Sequence, residues 1–178
     1  MYQQVIDFWF TEITPAQWWK KSDAFDQHIK ERFSTIHQQA IHCELSSWRE
    51  TSTGSLAEVI VLDQFSRNMY RDTPQAFAYD GLALALAQEA IRKEQDKALN
   101  ADQRSFLYMP FMHSESLMIH DQATDLFANL GMPNTVDFEK KHRDIIAQFG
   151  RYPHRNTILG RTSTPEEIEF LTQAGSSF

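Results

Sequence analysis

Apolar residues recur along most of the chain with the three- and four-residue spacing of an α-helix. Phe25, Ile29 and Phe33 follow this spacing with polar residues between them, so they define one buried face of a helix. The stretch from Gly81 to Ala87 alternates like a β-strand, but the residues around it favour helix, and we assign it to a central helix. The pattern predicts helices near residues 2–10, 15–20, 22–42, 55–67, 74–94, 102–109, 114–130, 135–149 and 165–173.

Helix-start and helix-end signals support this assignment. A serine or threonine followed by proline, or by glutamine or glutamate three residues later, is typical of a helix N-terminus. Such signals occur at Thr14-Pro15, Ser55–Glu58, Thr73-Pro74 and Thr164–Glu167. Gly131 and Gly150 indicate helix ends, and the scarcity of valine leaves little material for β-strands. We therefore predict an all-α fold that forms a single domain over residues 1–178.

Composition and charge narrow the classes of function. The chain has 17 basic and 24 acidic residues, and this negative balance argues against broad nucleic-acid binding, which needs many lysines and arginines. The single cysteine, Cys43, cannot form an internal disulfide or a multi-cysteine metal site. The N-terminal segment lacks the basic start of a secretory signal, and no apolar stretch is long enough to span a membrane. We expect a cytoplasmic protein that binds neither membranes nor nucleic acids.

The first polar cluster lies within the segment DQFSRNMYR, residues 63–71. Asp63 stands near the end of an apolar helix, where burial and the helix dipole both disfavour its charge, so it needs a cationic partner. Arg67, four residues later, is placed to supply that partner, and Asn68 and Arg71 follow it. Two interpretations remain open. The cluster is either an Asp–Arg clamp between two helices, or a site in which one arginine pairs with Asp63 and another holds a ligand.

The second cluster is the segment RSFLYMPFMHSE, which begins at Arg104 and ends at Glu115. Pro110 interrupts the predicted helix, and His113 lies two residues before Glu115. A His-x-Glu pair can bind a metal or act as an acid–base pair. Ser114 can equally cap the next helix, which would place Glu115 in its first turn for a structural reason. Because the spacing has this simpler explanation, we predict neither a metal ion nor a cofactor.

The third cluster is the acid-free segment GRYPHRNTILGR, residues 150–161. Its arginine, histidine and asparagine residues are Arg151, His154, Arg155, Asn156 and Arg161. We expect a loop here, between a helix end and the next helix start, and loops of this length usually serve a function. Arginine forms two parallel hydrogen bonds with carboxylates and phosphates, so three arginines in one loop point to an anionic ligand. The alternative is structural: Arg151 neutralises the end of helix 135–149, and the others bind Asp63, Asp80 or Glu115 in a buried network. Both interpretations can hold.

The order of these segments resembles the bacterial family of uncharacterised proteins catalogued as domain of unknown function 924. The resemblance covers nearly the whole chain and rests on VIDFWF (5–10), LDQFSRNMYR with TPQAFAYD (62–80), RSFLYMPFMHSE (104–115) and HRDIIAQFGRYPHRNTILGRTSTPEE (142–167). It implies about eight to nine helices whose antiparallel pairs stack as a tetratricopeptide-repeat-like superhelix with a concave face. Ser66 stands where the family commonly has proline, and Tyr152 where it commonly has phenylalanine. The family brings no established activity.

We predict a helical protein that binds an anionic small molecule or an acidic peptide in a polar pocket. The predicted ligand-binding residues are Asp63, Arg67, Asn68, Arg71, Arg104, Arg151, Arg155, Asn156 and Arg161. The alternative is an enzyme of hydrolase or proton-transfer type, acting on a phosphate- or carboxylate-bearing substrate, with the catalytic residues His113, Glu115 and His154. A third interpretation is that the clusters only hold the helices together. The sequence leaves open whether the chain is an enzyme, and also its oligomeric state and its protein partners.

Overall fold

The computed structural model describes residues 1–177, and this part of the chain contains helices and no β-strand. The α-helices are α1 (Tyr2–Asp7), α2 (Pro15–Trp19), α3 (Asp23–Ile41), α4 (Ser52–Ile60), α5 (Ser66–Met69), α6 (Asp80–Arg92), α7 (Ala101–Met112), α8 (Leu117–Ala128), α9 (Pro133–Phe149) and α10 (Pro165–Leu171). A π-helical turn, Val61–Phe65, makes α4 and α5 one continuous helix, and another, Phe8–Glu12, extends α1. The all-α prediction is confirmed, whereas the single domain and the superhelical stacking stay predictions.

Side-chain caps fix where α2 and α10 begin, as the sequence predicts. The backbone N–H of Thr14 donates to Gln17 Oε1 at 2.9 Å at the start of α2. At the start of α10 the backbone N–H of Thr164 donates to Glu167 Oε2 at 2.8 Å. The predicted helix end at Gly150 is also confirmed, because its φ of 67° lies in the left-handed region that glycine adopts without strain.

The predicted helix start at Ser55 is wrong. Helix α4 begins at Ser52, where the Thr51 hydroxyl accepts a hydrogen bond from the backbone N–H of Gly54 at 3.1 Å. Ser55 and Glu58 therefore lie inside the helix, and both are buried. Their polar groups bind side chains of neighbouring segments, so a buried contact explains the pair rather than a cap.

Two predicted starts near the polar clusters also differ from the structure. Thr73-Pro74 opens only a short 3-10 turn, Pro74–Ala76, and α6 begins later, at Asp80. Helix α8 begins at Leu117, so Ser114 does not cap it, and the glutamate after Ser114 lies outside its first turn. Ser114 and Glu115 therefore belong to the segment that connects α7 and α8, where tertiary contacts position the side chain of Glu115.

Pro110 does not interrupt its helix. It lies within α7, which continues to Met112. A proline inside a helix lacks one hydrogen bond and typically costs about 3 kcal/mol. All eight residues from Ser105 to Met112 are buried, and the apolar contacts of this segment offset that cost. Helix α7 therefore places His113, the residue after Met112, at the edge of the core.

The main apolar core surrounds α4 and α7. Helix α4 packs against α1, α6 and α7, and α7 also packs against α6, α8 and α9. A second, small cluster of Ile145, Ile146 and Tyr152 forms where α9 leads into the segment 150–161. None of the helices in residues 1–177 has the length and apolar character needed to cross a membrane. Because α7 contacts α4, α6 and α9, its C-terminal end lies where the three polar clusters can meet.

Candidate functional site

A cavity of about 300 Å³ lies where α6 begins, α7 ends and the segment 150–161 passes them. Its charged and titratable wall consists of Asp80, His113, Glu115 and Arg155. The apolar wall includes Phe77, Leu84, Pro110 and Leu159. The structure thus brings His113 and Glu115 of the second predicted cluster and Arg155 of the third to one cavity. The first cluster lies behind the cavity wall, where Asp63 contacts His113 and Arg67 contacts Asp80.

His113 and Asp63 form a hydrogen-bonded pair at the end of α7. Nδ1 of His113 lies 2.7 Å from Oδ1 of Asp63, which is fully buried in the π-helical turn after α4. The side chain of His113 is 15 % exposed and lines the cavity. Its other ring nitrogen, Nε2, makes no hydrogen bond with residues 1–177. The pair therefore presents an oriented imidazole whose second nitrogen is available to a ligand.

The charges around this pair keep Asp63 ionised and His113 neutral. Burial by itself would raise the pKa of Asp63, but the charge of Arg67 and the hydrogen bond with His113 outweigh burial and lower it. Burial lowers the pKa of His113, the charge of Arg67 lowers it further, and Asp63 opposes both. An ionised carboxylate only accepts hydrogen bonds, so we assign the proton of the neutral imidazole to Nδ1. Nε2 then carries the lone pair.

Arg67 joins the buried pair to the cavity wall. Its Nη1 lies 3.1 Å from Asp63 Oδ1, so the pairing predicted from their four-residue spacing is confirmed. The same guanidinium donates to both carboxylate oxygens of Asp80, at 2.8 and 2.9 Å. Asp80 stands at the start of α6 and is 18 % exposed. Arg67 therefore acts inside the wall, between two carboxylates, and does not itself line the cavity.

Arg155 is the cation of the cavity wall. Its guanidinium lies over the rings of Phe77 and Tyr152, with Cζ 4.6 and 4.5 Å from their centroids. It donates to the carbonyl oxygen of His113 at 3.1 Å, and its contact with Asp80 is longer, at 3.4 Å. Nε is buried and makes no hydrogen bond with residues 1–177. Burial and the charge of Arg67 lower the pKa of Arg155, so its positive charge is incompletely compensated.

The two other arginines of the segment 150–161 hold it in place. Arg151 donates to both carboxylate oxygens of Glu167, at 2.6 and 2.8 Å. Arg161 donates to both carboxylate oxygens of Glu115, at 2.7 and 2.9 Å. Asn156 is buried, and its Oδ1 accepts from Arg161 Nε at 2.9 Å. The pair of Arg161 and Glu115 matches the predicted network, whereas the pair of Arg151 and Glu167 is not among the predicted contacts. Together the two pairs fix the position of Arg155 between them.

Glu115 faces the cavity but is not the partner of His113. Its carboxylate accepts from Arg161 and, at 2.8 Å, from the backbone N–H of Tyr152. Burial alone would raise the pKa of Glu115, but these hydrogen bonds outweigh it and lower the pKa. Glu115 is thus an ionised acceptor in the wall. The acid that orients His113 is Asp63, which lies 50 positions earlier in the chain.

The remaining predicted site residues lie outside the cavity wall as far as residues 1–177 define it. Asn68 and Arg71 both bind Asp26 of α3, at 2.7 Å for Asn68 and 2.6 Å for Arg71 Nε, and so clamp two helices together. Arg104 lies in the first half of α7 and has a buried Nε. The ring of His154 packs against Tyr152, with centroids 5.6 Å apart. None of these four side chains reaches the cavity.

Sequence reasoning misses most of the apolar wall. Phe77, Leu84 and Leu159 have the character of ordinary core residues, and no local signal distinguishes them. From the sequence, Asp80 is expected only as a possible partner of arginine. The predicted helix 74–94 places it within a helix, whereas the structure has it at the start of α6. Within residues 1–177, no three His, Cys, Asp or Glu side chains are grouped so that they could hold a metal ion.

Comparison with known proteins relates this chain to uncharacterised bacterial proteins. It is similar to the solved structure of a protein of unknown function from Agrobacterium tumefaciens, with 42% sequence identity, 96% of each chain covered and a TM-score of 0.91. No curated protein matches the chain. The family described as bacterial protein of unknown function (DUF924) matches residues 5–175. The chain therefore belongs to the DUF924 family, whose function is unknown.

Proposed function

We propose that this protein binds a small anionic molecule in the cavity between α6, α7 and the segment 150–161, with Arg155 as the main contact for the anion. The observation that carries the proposal is the position of Arg155. It lines the cavity and is buried, and within residues 1–177 it lacks the paired short hydrogen bonds to a carboxylate that Arg151 and Arg161 make.

The electrostatics of Arg155 support an anionic ligand. A buried guanidinium without a close counter-charge is costly, and a ligand carboxylate or phosphate within hydrogen-bond distance would reduce that cost. Asp80 cannot fully serve this purpose, because its two oxygens already accept from Arg67 at 2.8 and 2.9 Å. The guanidinium of Arg155 would therefore still be able to donate hydrogen bonds to an anion that enters the cavity.

The other wall residues limit the kind of ligand. Asp80 and Glu115 add negative charge near Arg155, which disfavours polyphosphates and other ligands with three or more negative charges. Phe77 and Leu159 offer apolar surface to the uncharged part of a ligand. A volume of about 300 Å³ is at the lower end for small-molecule sites. These features favour a small carboxylate or phosphate monoester over an acidic peptide, which could insert only one terminus.

A binding experiment tests this proposal. Isothermal titration with succinate, methyl phosphate and neutral succinamide should give heat for an anion and none for the amide. Arg155→Gln should weaken binding of that anion at least tenfold. The matched control is Arg143→Gln, because Arg143 pairs with Asp121 at the surface, away from the cavity. Equal affinity of wild type and Arg155→Gln for every anion that binds would contradict the proposal, as would the absence of binding by both anions.

A further inference from the structure

We propose that the cavity is catalytic, with His113 as the general base that activates water against the ester carbonyl of a small substrate whose anionic end is held by Arg155. Asp63 is the positioning residue that orients His113. This inference rests on the proposed function, because Arg155 must hold the substrate. It extends that function from binding to the hydrolysis of carboxylate- or phosphate-bearing esters.

The geometry of the Asp63–His113 pair carries the inference. A histidine acts as a base through one nitrogen while the other is held by a carboxylate that fixes its orientation and tautomer. Asp63 lies 2.7 Å from Nδ1 and is fully buried, so it accepts the proton of Nδ1 and cannot contact a substrate. Arg67, 3.1 Å from Asp63, keeps that carboxylate charged. The remaining nitrogen, Nε2, belongs to a side chain that lines the cavity.

The anion-binding group and the base are close to each other. Arg155 Nη2 donates to the backbone carbonyl oxygen of His113 at 3.1 Å, and both side chains line the same cavity. An anionic group on Arg155 would therefore place the next few atoms of a substrate near the imidazole. Proximity of this kind between a held substrate and a base is a large part of the advantage of an enzyme over a free imidazole.

The proposed step is a base-assisted attack by water. Nε2 of His113 takes a proton from water as the water oxygen bonds to the ester carbonyl carbon. The bond between that carbon and the leaving oxygen then breaks, and the imidazolium returns its proton to the leaving group or to solvent. The products are a carboxylic acid and an alcohol. A neutral imidazole suits water attack, because the proton of the water becomes acidic as the new bond to carbon forms.

The test uses chromogenic esters that differ in charge. Mono-4-nitrophenyl succinate carries a carboxylate for Arg155, and 4-nitrophenyl acetate does not. We expect wild type to hydrolyse the succinate ester faster than its spontaneous, carboxylate-assisted hydrolysis and the free-imidazole background combined. After each ester's spontaneous rate is subtracted, wild type should prefer the succinate ester over the acetate. His113→Ala should lower kcat on the order of a hundredfold, and added imidazole should restore part of the rate. His42→Ala, which removes an exposed histidine, should leave it unchanged.

Further variants separate the roles of the residues. Arg155→Gln should raise KM for the succinate ester by a larger factor than it changes KM for the acetate ester, which has no carboxylate for Arg155. Asp63→Asn should lower kcat and displace its pH profile, because an amide no longer fixes the proton on Nδ1. Because Asp63→Asn can also disturb folding, ¹⁵N NMR of the wild-type His113 ring provides a second measurement. It should show a protonated Nδ1 and an unprotonated Nε2 at pH 7.

The outcomes distinguish this inference from the proposed function. If succinate binds in an Arg155-dependent manner but neither ester is hydrolysed above background, the catalytic inference is overturned and the binding proposal stands. Hydrolysis that His113→Ala leaves intact overturns it as well. A protonated Nε2 at pH 7 does the same, because no lone pair would then face the cavity. If no anion binds at all, the proposed function fails first and the inference fails with it.

Discussion

The hydroxyl of Tyr152 donates to the backbone carbonyl oxygen of Met112 at 2.5 Å, and this bond joins the segment 150–161 to the last turn of α7. The same ring supports the guanidinium of Arg155 at 4.5 Å. His113 directly follows Met112. The side chain of Tyr152 therefore positions Arg155 and His113 relative to each other. The ring and the hydroxyl have separable roles.

Tyr152→Phe should separate these two roles. The variant keeps the ring beneath Arg155 but leaves the carbonyl of Met112 without its donor, which should cost about 1 to 2 kcal/mol of unfolding free energy. Binding of succinate should be unchanged. Tyr152→Ala should lose stability and binding together. Urea denaturation with titration calorimetry checks this, and weaker binding by Tyr152→Phe would show that the hydroxyl, not the ring, positions Arg155.

Arg161→Gln should destabilise the protein more than Arg155→Gln. Removal of Arg161 takes two hydrogen bonds from the half-buried carboxylate of Glu115 and should cost about 2 kcal/mol. Removal of Arg155 leaves Asp80 with both hydrogen bonds from Arg67, so its cost should be smaller.

Hydrogen exchange of the segment 150–161 should rise in Arg161→Gln and stay near the wild-type rate in Arg155→Gln. Denaturation midpoints of the two variants provide the comparison of stability. The reverse order of stability would mean that Arg155 is mainly a structural residue and that Asp80 depends on it.

Local sequence predicts the helices and several caps, but it does not predict which acid each arginine binds. Thr14 and Thr164 reveal helix starts because the capping contact spans only three residues. Arg67 and Asp63 are likewise one helical turn apart. The sequence therefore predicts these contacts correctly, because the helix itself brings the partners together.

Contacts between distant residues explain what the sequence leaves open. Arg161 and Glu115 are 46 positions apart, and Arg71 and Asp26 are 45 apart, so their pairing depends on how the helices pack. The local sequence does not distinguish the three arginines of the segment 150–161, which are Arg151, Arg155 and Arg161. Two of them meet carboxylates and the third faces a cavity, a difference that only the packed structure creates. Pro110 locally predicts a helix end, but burial of the residues around it keeps it inside α7.

The stability of the fold should fall as the pH drops from about 6.5 to 4, in part because of His37. Burial lowers the pKa of His37 from 6.5 to about 4. Between these values the unfolded chain binds a proton that the folded chain does not, so folding loses up to about 1.4 kcal/mol per pH unit from this group as pH falls. Above pH 6.5 both states are neutral at this position and the effect vanishes.

Urea denaturation between pH 4.5 and 7.5 measures this contribution. His37→Gln should show a shallower fall in stability at low pH, even if its stability at pH 7 is reduced by the loss of the 2.8 Å contact with Ser66. His42→Gln, on the exposed surface, is the control for removing a histidine. An unchanged slope in His37→Gln would mean that other groups cause the acid sensitivity.

Gly81 offers a way to fill the cavity from its wall. It is the second residue of α6, and a Cβ built there has no atom within 4 Å. Gly81→Ala should therefore raise the unfolding free energy, by up to about 1 kcal/mol, because alanine restricts the unfolded chain and favours helix. Succinate should still bind. Gly81→Trp should occupy the cavity and weaken succinate binding at least tenfold in a protein that still folds. If the tryptophan variant binds succinate as wild type does, the wall at Gly81 is not part of the binding site.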